Sequence, residues 1–184
     1  MNLLLHICCA PCAIMCVKTL REEGIEPTGY WDNPNIHPYT EFRTRRQTLE
    51  EYARSIGLKL IIGGKYGLRA FLDDVNGDYT GRCLHCYRMR FRSVAKYAAE
   101  NGFTHFCSTL FVSPYQNHEL MIRAAEEAAA EFGVTFLHRD FRPYFRQGQD
   151  EARELGLYMQ KYCGCIFSEE DRYQKRKKKR EAEA

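Results

Sequence analysis

A doubly wound α/β domain with a mostly parallel sheet is the fold class this sequence predicts. Three observations predict it. Short apolar runs alternate with longer helical patterns at βαβ spacing. The first run ends in a loop of small residues, which suits a buried parallel strand. No internal repeat or low-complexity segment interrupts the alternation before a basic C-terminal tail. At 184 residues the chain is one domain, or one domain with an appendage, and is long enough for a core without disulfide staples.

Leu3–Cys8 reads as the first strand. A helix follows over Ala13–Glu23 and stops at Gly24. Pro27–Trp31 reads as the second strand. The loop after it, Asp32-Asn-Pro-Asn-Ile-His-Pro38, holds two prolines and two asparagines, which disfavour regular structure. Thr40 is a plausible N-cap for a long helix to Ile56, closed by Gly57. Lys59–Ile62 is a third strand, Leu68–Val75 a short helix or turn, and Asn76–Arg82 a loop. Cys83–Asn101 has helical periodicity and closes at Gly102. His105–Leu110 is a fourth strand. Asn117–Phe132, rich in Ala and Glu, is the clearest helix, and Gly133 ends it. Val134–His138 is a fifth strand and Asp150–Leu157 a final helix. In such a sheet ligands bind at the carboxyl ends of the strands, so the loop at Cys8, Asp32, and Ser113–His118 should share one crevice.

Hydrophobic residues make up 45% of the chain, ordinary for a globular protein. The N-terminus has no positive n-region and too short an apolar run for a signal peptide, and no stretch approaches a membrane span. A soluble, cytoplasmic protein is expected, with no membrane partner. The formal charge of +3 is unevenly placed. Lys175-Arg-Lys-Lys-Lys-Arg180 is wholly cationic, and the remainder has 21 basic against 24 acidic residues. That tail is expected to be disordered or a frayed helix end, either simply solvated or adding affinity for a polyanion such as tRNA.

Seven of the nine cysteines fall in three clusters, Cys8-Cys9-Ala-Pro-Cys12, Cys83-Leu-His-Cys86 and Cys163-Gly-Cys165. Thiols this close, behind no export signal, chelate a soft metal or cycle between dithiol and disulfide. The spacing of Cys83 and Cys86 brings both sulfurs to one side of a helical turn. Cys8, Cys9, Cys83 and Cys86 satisfy the ligand count of a [4Fe–4S] cluster. They equally satisfy a structural zinc site, and spacing alone leaves both open. Cys163-Gly-Cys165 has too little chain for a relaxed disulfide, so a bond there would be easily reduced. A labile redox pair is one reading of it, two further metal ligands the other. Cys12 is the spare thiol of its loop, for a second metal or for the cluster itself. Cys16 and Cys107 read as buried packing.

These residues are recognisable together. Leu-His-Ile-Cys8-Cys9-Ala-Pro-Cys12, Asn33-Pro-Asn-Ile-His-Pro38, Arg82-Cys83-x-x-Cys86-Tyr, Ser108-Thr-Leu with Ser113-Pro-Tyr-Gln-Asn-His118, and Tyr158-x-Gln-x-Tyr-Cys163-Gly-Cys165 resemble the epoxyqueuosine reductase QueH family. The resemblance covers residues 1–173 as a domain and leaves 174–184 as a basic tail. It implies a cobalamin-independent oxidoreductase that converts epoxyqueuosine to queuosine at the wobble position of tRNA. It implies a fold similar to nucleotide α-hydrolase domains. It puts the [4Fe–4S] ligands on Cys8, Cys9, Cys83 and Cys86, and the redox-active pair on Cys163 and Cys165.

The chemistry needs two electrons and two protons, ultimately from an external electron donor. An additional iron ion beside the cluster would bind the oxirane oxygen, with Cys12 and Asp32 as its ligands. Asp32, Asp74, Asp78 and His118 are proton-donor candidates. Tyr115, Gln116 and Asn117 offer one ring and two amides for an unstacked base. Arg43, Arg45, Arg46, Arg88, Arg90 and Arg92 are either phosphate contacts or solvated helix faces. Two rival classes remain at this point: an ATP-dependent tRNA sulfur transferase, disfavoured because Cys-Cys-Ala-Pro-Cys replaces a phosphate-cradling glycine loop, and a zinc-stabilised RNA-binding module.

Overall fold

Five short strands and seven α-helices build the protein in a computed structural model, which describes the backbone of residues 1–182 and the side chains of residues 1–174. The strands are β1 (Leu3–His6), β2 (Thr28–Trp31), β3 (Leu60–Ile62), β4 (His105–Ser108) and β5 (Thr135–Phe136). All pairings are parallel and the order is β3-β2-β1-β4-β5. β1 is central and fully buried, as its unbroken Leu-Leu-Leu-His run requires of a strand covered on both faces. The chain winds outward from β1 to β3 and then returns to β4, so the order reverses between β1 and β4. The predicted doubly wound parallel sheet is the observed one.

The helices are α1 (Ala10–Glu22), α2 (Tyr39–Ser55), α3 (Leu68–Val75), α4 (Arg82–Glu100), α5 (His118–Phe132), α6 (Phe145–Glu154) and α7 (Ile166–Ala182). They cover both faces of the sheet: α4 packs on α5, and α1 packs on α2 and α6. One continuous core fills the space between, with Trp31, Phe91, Phe106 and Phe111 fully buried in it.

Several boundaries differ from the sequence expectation, each for a local reason. α1 begins at Ala10 rather than Ala13, because Pro11 in a first turn forfeits only an N–H that has no helical partner anyway. Cys9 is thereby the N-cap of α1, and Cys12 rides on its first turn. α2 starts at Tyr39, with Pro38 rather than Thr40 at the cap. β4 stops at Ser108, whose hydroxyl accepts from the Leu110 N–H and turns the chain into a 3-10 turn over Thr109–Val112. β5 is shorter than Val134–His138.

α6 starts five residues before Asp150. Gly148 there is a contact rather than a breaker: an added Cβ would stand 3.3 Å from Met15 Cγ, so glycine lets α6 lie close on α1. Asn117 caps α5, accepting from the Leu120 N–H at 3.1 Å.

At the C-terminus, of the two expectations for the tail, disorder or a helix end, the helix end is the observed one: α7 starts at Ile166 and runs through the 173/174 boundary. Its start is tied by the Ser168 hydroxyl, which accepts from the Gly164 N–H and donates to the Cys165 carbonyl. The Lys and Arg run beyond it has good helix propensity. The phosphate contacts expected of Lys175 to Arg180 lie outside the described side chains. Among the described residues, no helix is long and apolar enough to cross a membrane.

Candidate metal and redox centre

Strand order reverses between β1 and β4, and at such a point the carboxyl ends of the strands leave a crevice. A cavity of about 670 Å³ opens there. Cys8 and Cys12 line it, with Arg45, Arg90, Tyr115, Gln116 and Cys163.

The first thiol cluster is assembled by the β1–α1 junction. The sulfurs of Cys8, Cys9 and Cys12 all lie within 4.8 Å of one another and are buried. Cys8 and Cys9 are 3.7 Å apart, although neighbours in sequence, because Cys9 takes an extended conformation as N-cap. The Cys8 N–H donates to Thr109 Oγ1 at 3.1 Å, and the Thr109 hydroxyl sits 3.4 Å from Cys8 Sγ. Hydrogen bonds from Cys12 and Cys9, aided by Arg90 and Thr109, hold the Cys8 thiol well below the ordinary range. Burial pushes Cys9 up to about 12, and the neighbouring Cys8 and Cys9 drive Cys12 well above the ordinary range. The triad thus stabilises one thiolate at a helix N-terminus, and a metal cation would complete it.

Cys83 and Cys86 form the second cluster, on the first turn of α4, with Cys83 exposed and Cys86 buried. They stand apart from the triad. What both clusters face is Arg90, one turn beyond Cys86. Its Nη1 is 3.8 Å from Cys86 Sγ, and its Nη2 donates to Asn33 Oδ1 at 2.7 Å. Asn33 in turn donates to the Ile7 carbonyl at 2.9 Å, which fixes the guanidinium at the end of β1. Arg90 is 2% exposed and its Nε has no hydrogen-bond partner. Among the described residues it makes no ion pair with a carboxylate; it faces the sulfurs of Cys86, Cys8 and Cys163 and acts at longer range on the Asp32 carboxylate. A cation this deep needs an anion opposite, or its desolvation goes uncompensated. Sulfur at Cys86 and Cys8 supplies the nearest partners, with the Asp32 carboxylate acting from beyond ion-pair distance. Rich in sulfur and faced by a cation, the donor set fits a soft metal centre held by cysteine.

The third cluster arrives from the far end of the chain. Cys163 is exposed at the cavity, where the Gln116 amide N–H₂ donates to its sulfur at 3.3 Å. Cys165 is buried against Phe71, Val75 and Cys86. Both are free thiols. Gly164 has φ +156°, and an added Cβ would crowd Ile36 at 3.3 Å and Arg45 at 3.4 Å, so glycine is required between them. The segment is held by two groups from the β2–α2 region. Arg45, 2% exposed, donates from Nη1 to the Cys163 carbonyl at 2.8 Å and from Nη2 to the Tyr162 carbonyl at 2.9 Å. His37 donates its backbone N–H to the Gly164 carbonyl at 2.8 Å and accepts from the Ile166 N–H at Nδ1.

That last bond fixes His37 as the neutral tautomer, with Nε2–H on the Pro34 carbonyl. Burial lowers its pKa from 6.5 to about 4. The unfolded chain therefore binds more protons than the native one between these values, and stability falls as pH drops through that window. Urea midpoints measured from pH 7 to pH 4 should show this fall in wild-type protein, and His37→Gln should flatten it. An equally steep profile in the variant would count against the assignment.

The remaining expected site residues are dispersed. Asp32 does not line the cavity. Its carboxylate accepts from the Ser93 hydroxyl and fills the space left by Gly64, where a Cβ would meet Oδ1 at 1.9 Å. Burial raises its pKa, with Ser93 and Arg90 opposing. Cys12 and Asp32 therefore do not meet in one group. Asp74 and Asp78 pair with His85, and His118 bonds the Ser113 carbonyl; none of these lines the cavity. Tyr115, 84% exposed, stands at the mouth edge-on to Phe145, with Gln116 beside it and Asn117 behind as the helix cap. Cys16 and Cys107 are core residues, as expected.

Two site residues escaped the sequence reading. Arg45 and Arg90 were expected on phosphates or solvated faces and are buried at the thiols instead. The available signal was spacing: each lies four residues after a group it meets, Glu41 and Cys86.

The family model described as epoxyqueuosine reductase QueH matches residues 3–171. A protein named epoxyqueuosine reductase QueH from Dehalococcoides mccartyi is 38% identical over 174 residues, covering 95% of this chain and 96% of that one. Its namesake from Thermotoga maritima is 29% identical over 184 residues, covering 95% and 93%. The crystal structure of a predicted subunit of tRNA methyltransferase from Methanocaldococcus jannaschii superposes with a TM-score of 0.54 over 83% of this chain and 76% of that one. At 10% identity it shares the fold alone.

Proposed function

This chain belongs to the epoxyqueuosine reductase QueH family, and from that premise we propose how its thiols divide the work. The enzyme is an oxidoreductase that reduces the epoxide of epoxyqueuosine to queuosine, the last step of tRNA queuosine biosynthesis. The sulfur-transferase and zinc-module readings give way to it. In our reading Cys8, Cys9, Cys83 and Cys86 hold a [4Fe–4S] cluster, with Arg90 as the buried counter-charge. The single observation that carries this is the guanidinium of Arg90, deep in the protein, facing sulfur from both clusters with no carboxylate in ion-pair contact among the described residues. When bound, such a cluster supplies one-electron transfer close to the reacting carbon atoms. An additional iron held by Cys12 and Asp32 would need Asp32 to leave Ser93.

Cys163 and Cys165 are proposed as the source of two electrons and two protons. As their S–S bond forms, each thiol gives up its proton. Both C–O bonds of the epoxide break, the oxygen leaves as water with the two protons, and the two electrons become the π bond of the alkene. An external electron donor then reopens the disulfide, which a one-residue ring favours. Cys163 is placed for this, at the cavity and under the Gln116 amide.

The tRNA enters, in this reading, through the mouth of the cavity. Tyr115 on Phe145 offers a stacking face, and Arg146, Lys161 and Arg172 ring the same opening. Aromatic faces interleaved with cations suit an unstacked RNA loop. The basic tail, 174–184, would add phosphate contacts from the end of α7. Cytoplasmic residence follows from that substrate.

The test is direct. Anaerobically purified protein should carry iron and sulfide, and with a reductant should convert epoxyqueuosine in tRNA to queuosine, read by nucleoside mass spectrometry as loss of one oxygen atom. Colourless protein with stoichiometric zinc and no conversion would overturn the proposal.

A further inference from the structure

Arg45 carries an arrangement that none of the chemistry above uses. Its guanidinium is a charged fork that joins α2 to the carbonyls of the Cys163 segment. Nε donates to Glu41 Oε1 at 2.7 Å, while Nη1 and Nη2 take two successive carbonyls, those of Cys163 and Tyr162. Every face of the guanidinium is used: it also lies over the Tyr162 ring, 5.6 Å from its centroid. Glu41 is held from its other side by the Tyr158 hydroxyl at 2.6 Å, and the Tyr162 hydroxyl donates to the His37 carbonyl at 2.6 Å. Residues 158–163 are therefore fastened to α2 by a buried ion pair and the Tyr158 phenol, and to the loop before it by the Tyr162 phenol.

We propose that Arg45 is a positioning residue for the Cys163–Cys165 pair, locking that segment in the dithiol arrangement with the Cys163 sulfur at the cavity. The proposal rests on the redox reading of this pair. The physical case is geometric. A planar fork with fixed donor directions can register two adjacent carbonyls, whereas a lysine ammonium cannot. The clamped arrangement keeps the two thiols unpaired, Cys163 exposed and Cys165 buried, so in this proposal the clamp favours the dithiol. Its loss should favour the disulfide and let Cys163 swing from the cavity. A misplacement of about 1 Å at a reacting group is enough to cost roughly 100-fold in rate.

Arg45→Lys keeps the charge and loses the fork. Glu41→Gln with Arg45→Met removes the pair together, so that no buried carboxylate is stranded. Circular dichroism and iron content first establish that each variant is folded and loaded. Two readouts follow: the dithiol–disulfide ratio of Cys163 and Cys165 in glutathione buffers, by alkylation and mass spectrometry, and kcat and KM on tRNA substrate. The double variant should shift the ratio toward disulfide by about tenfold, roughly 30 mV for a two-electron couple. Its kcat should fall roughly 100-fold with KM nearly unchanged. Arg45→Lys should fall between it and wild type.

A wild-type ratio and kcat in both variants would overturn the proposal, as would a rise in KM alone, which would make Arg45 a binding residue. Cys163→Ser separates this from failure of the redox reading. If that variant turns over normally, the pair itself is not the reductant. If it is dead while the Arg45 variants behave as wild type, only the clamp fails.

Discussion

Cys163→Ser enzyme, prepared without oxygen, should keep the broad absorbance near ~400 nm of thiolate-bound iron and turn over at least ~10³-fold more slowly. The two halves of this expectation come from different features. Cys163 is exposed, at the cavity, and outside both clusters assigned to metal, so its loss leaves those thiols alone. A serine hydroxyl still fits beneath Gln116 and keeps the backbone that Arg45 grips, since both of those bonds use carbonyls or a small polar atom. Folding stability should therefore change little, as for most exposed positions. What serine cannot do is form a bond to Cys165 sulfur. Turnover at the normal rate would mean that the electrons come from elsewhere. Loss of colour would mean that Cys163 is a metal ligand after all.

Cys86→Ala should strip most of the iron and sulfide, whereas Cys12→Ala should retain both. This pair of substitutions decides between two ligand sets that share Cys8 and Cys9. The thiols nearest one another are Cys8, Cys9 and Cys12, and 3.7 Å between Cys8 and Cys9 is close to the edge of a tetrahedron around a single thiolate-bound ion, about 3.8 Å for metal–sulfur bonds of 2.3 Å. Geometry alone thus leans toward a mononuclear site. Arg90 argues for the larger set, because it meets Cys86 directly and faces Cys8 as well. Removing Cys86 also leaves Nη1 of a buried cation without its sulfur. Iron and sulfide per chain, measured on both proteins, separates the cases: retention in Cys86→Ala with loss in Cys12→Ala would assign the metal to the triad.

Much of the fold was legible because parallel strands leave a plain signature. Leu3–His6 and His105–Ser108 are apolar runs bounded by small or polar residues, and the intervening helices carry the right period. The ends were less legible. The sequence places the starts of α1 and α6 at Ala13 and Asp150, yet Pro11 sits where a proline costs nothing and Gly148 where α6 must approach α1. The start of α7 was not legible, because a run of like charge leaves disorder and a helix end both open and the Ser168 bonds to Gly164 and Cys165 that mark the start lie outside that run.

The thiols were legible from spacing. Their partners were not, since Arg45 and Arg90 have the composition of surface residues. Burial of a cation is a tertiary fact, decided by Asn33 and by carbonyls more than a hundred residues away.

The sulfur pair comes from the last part of the sheet-bearing chain. β5 ends at Phe136, and Cys165 follows twenty-nine positions later in the sequence. A ribosome adding about 5–20 residues per second needs roughly one and a half to six seconds to bridge that interval. During it the sheet can close while Cys8, Cys9 and Cys12 face an unfinished wall. Newborn protein should be at its most vulnerable to oxidants, and most open to metal delivery, in those few seconds before its own C-terminal end arrives to shut the door.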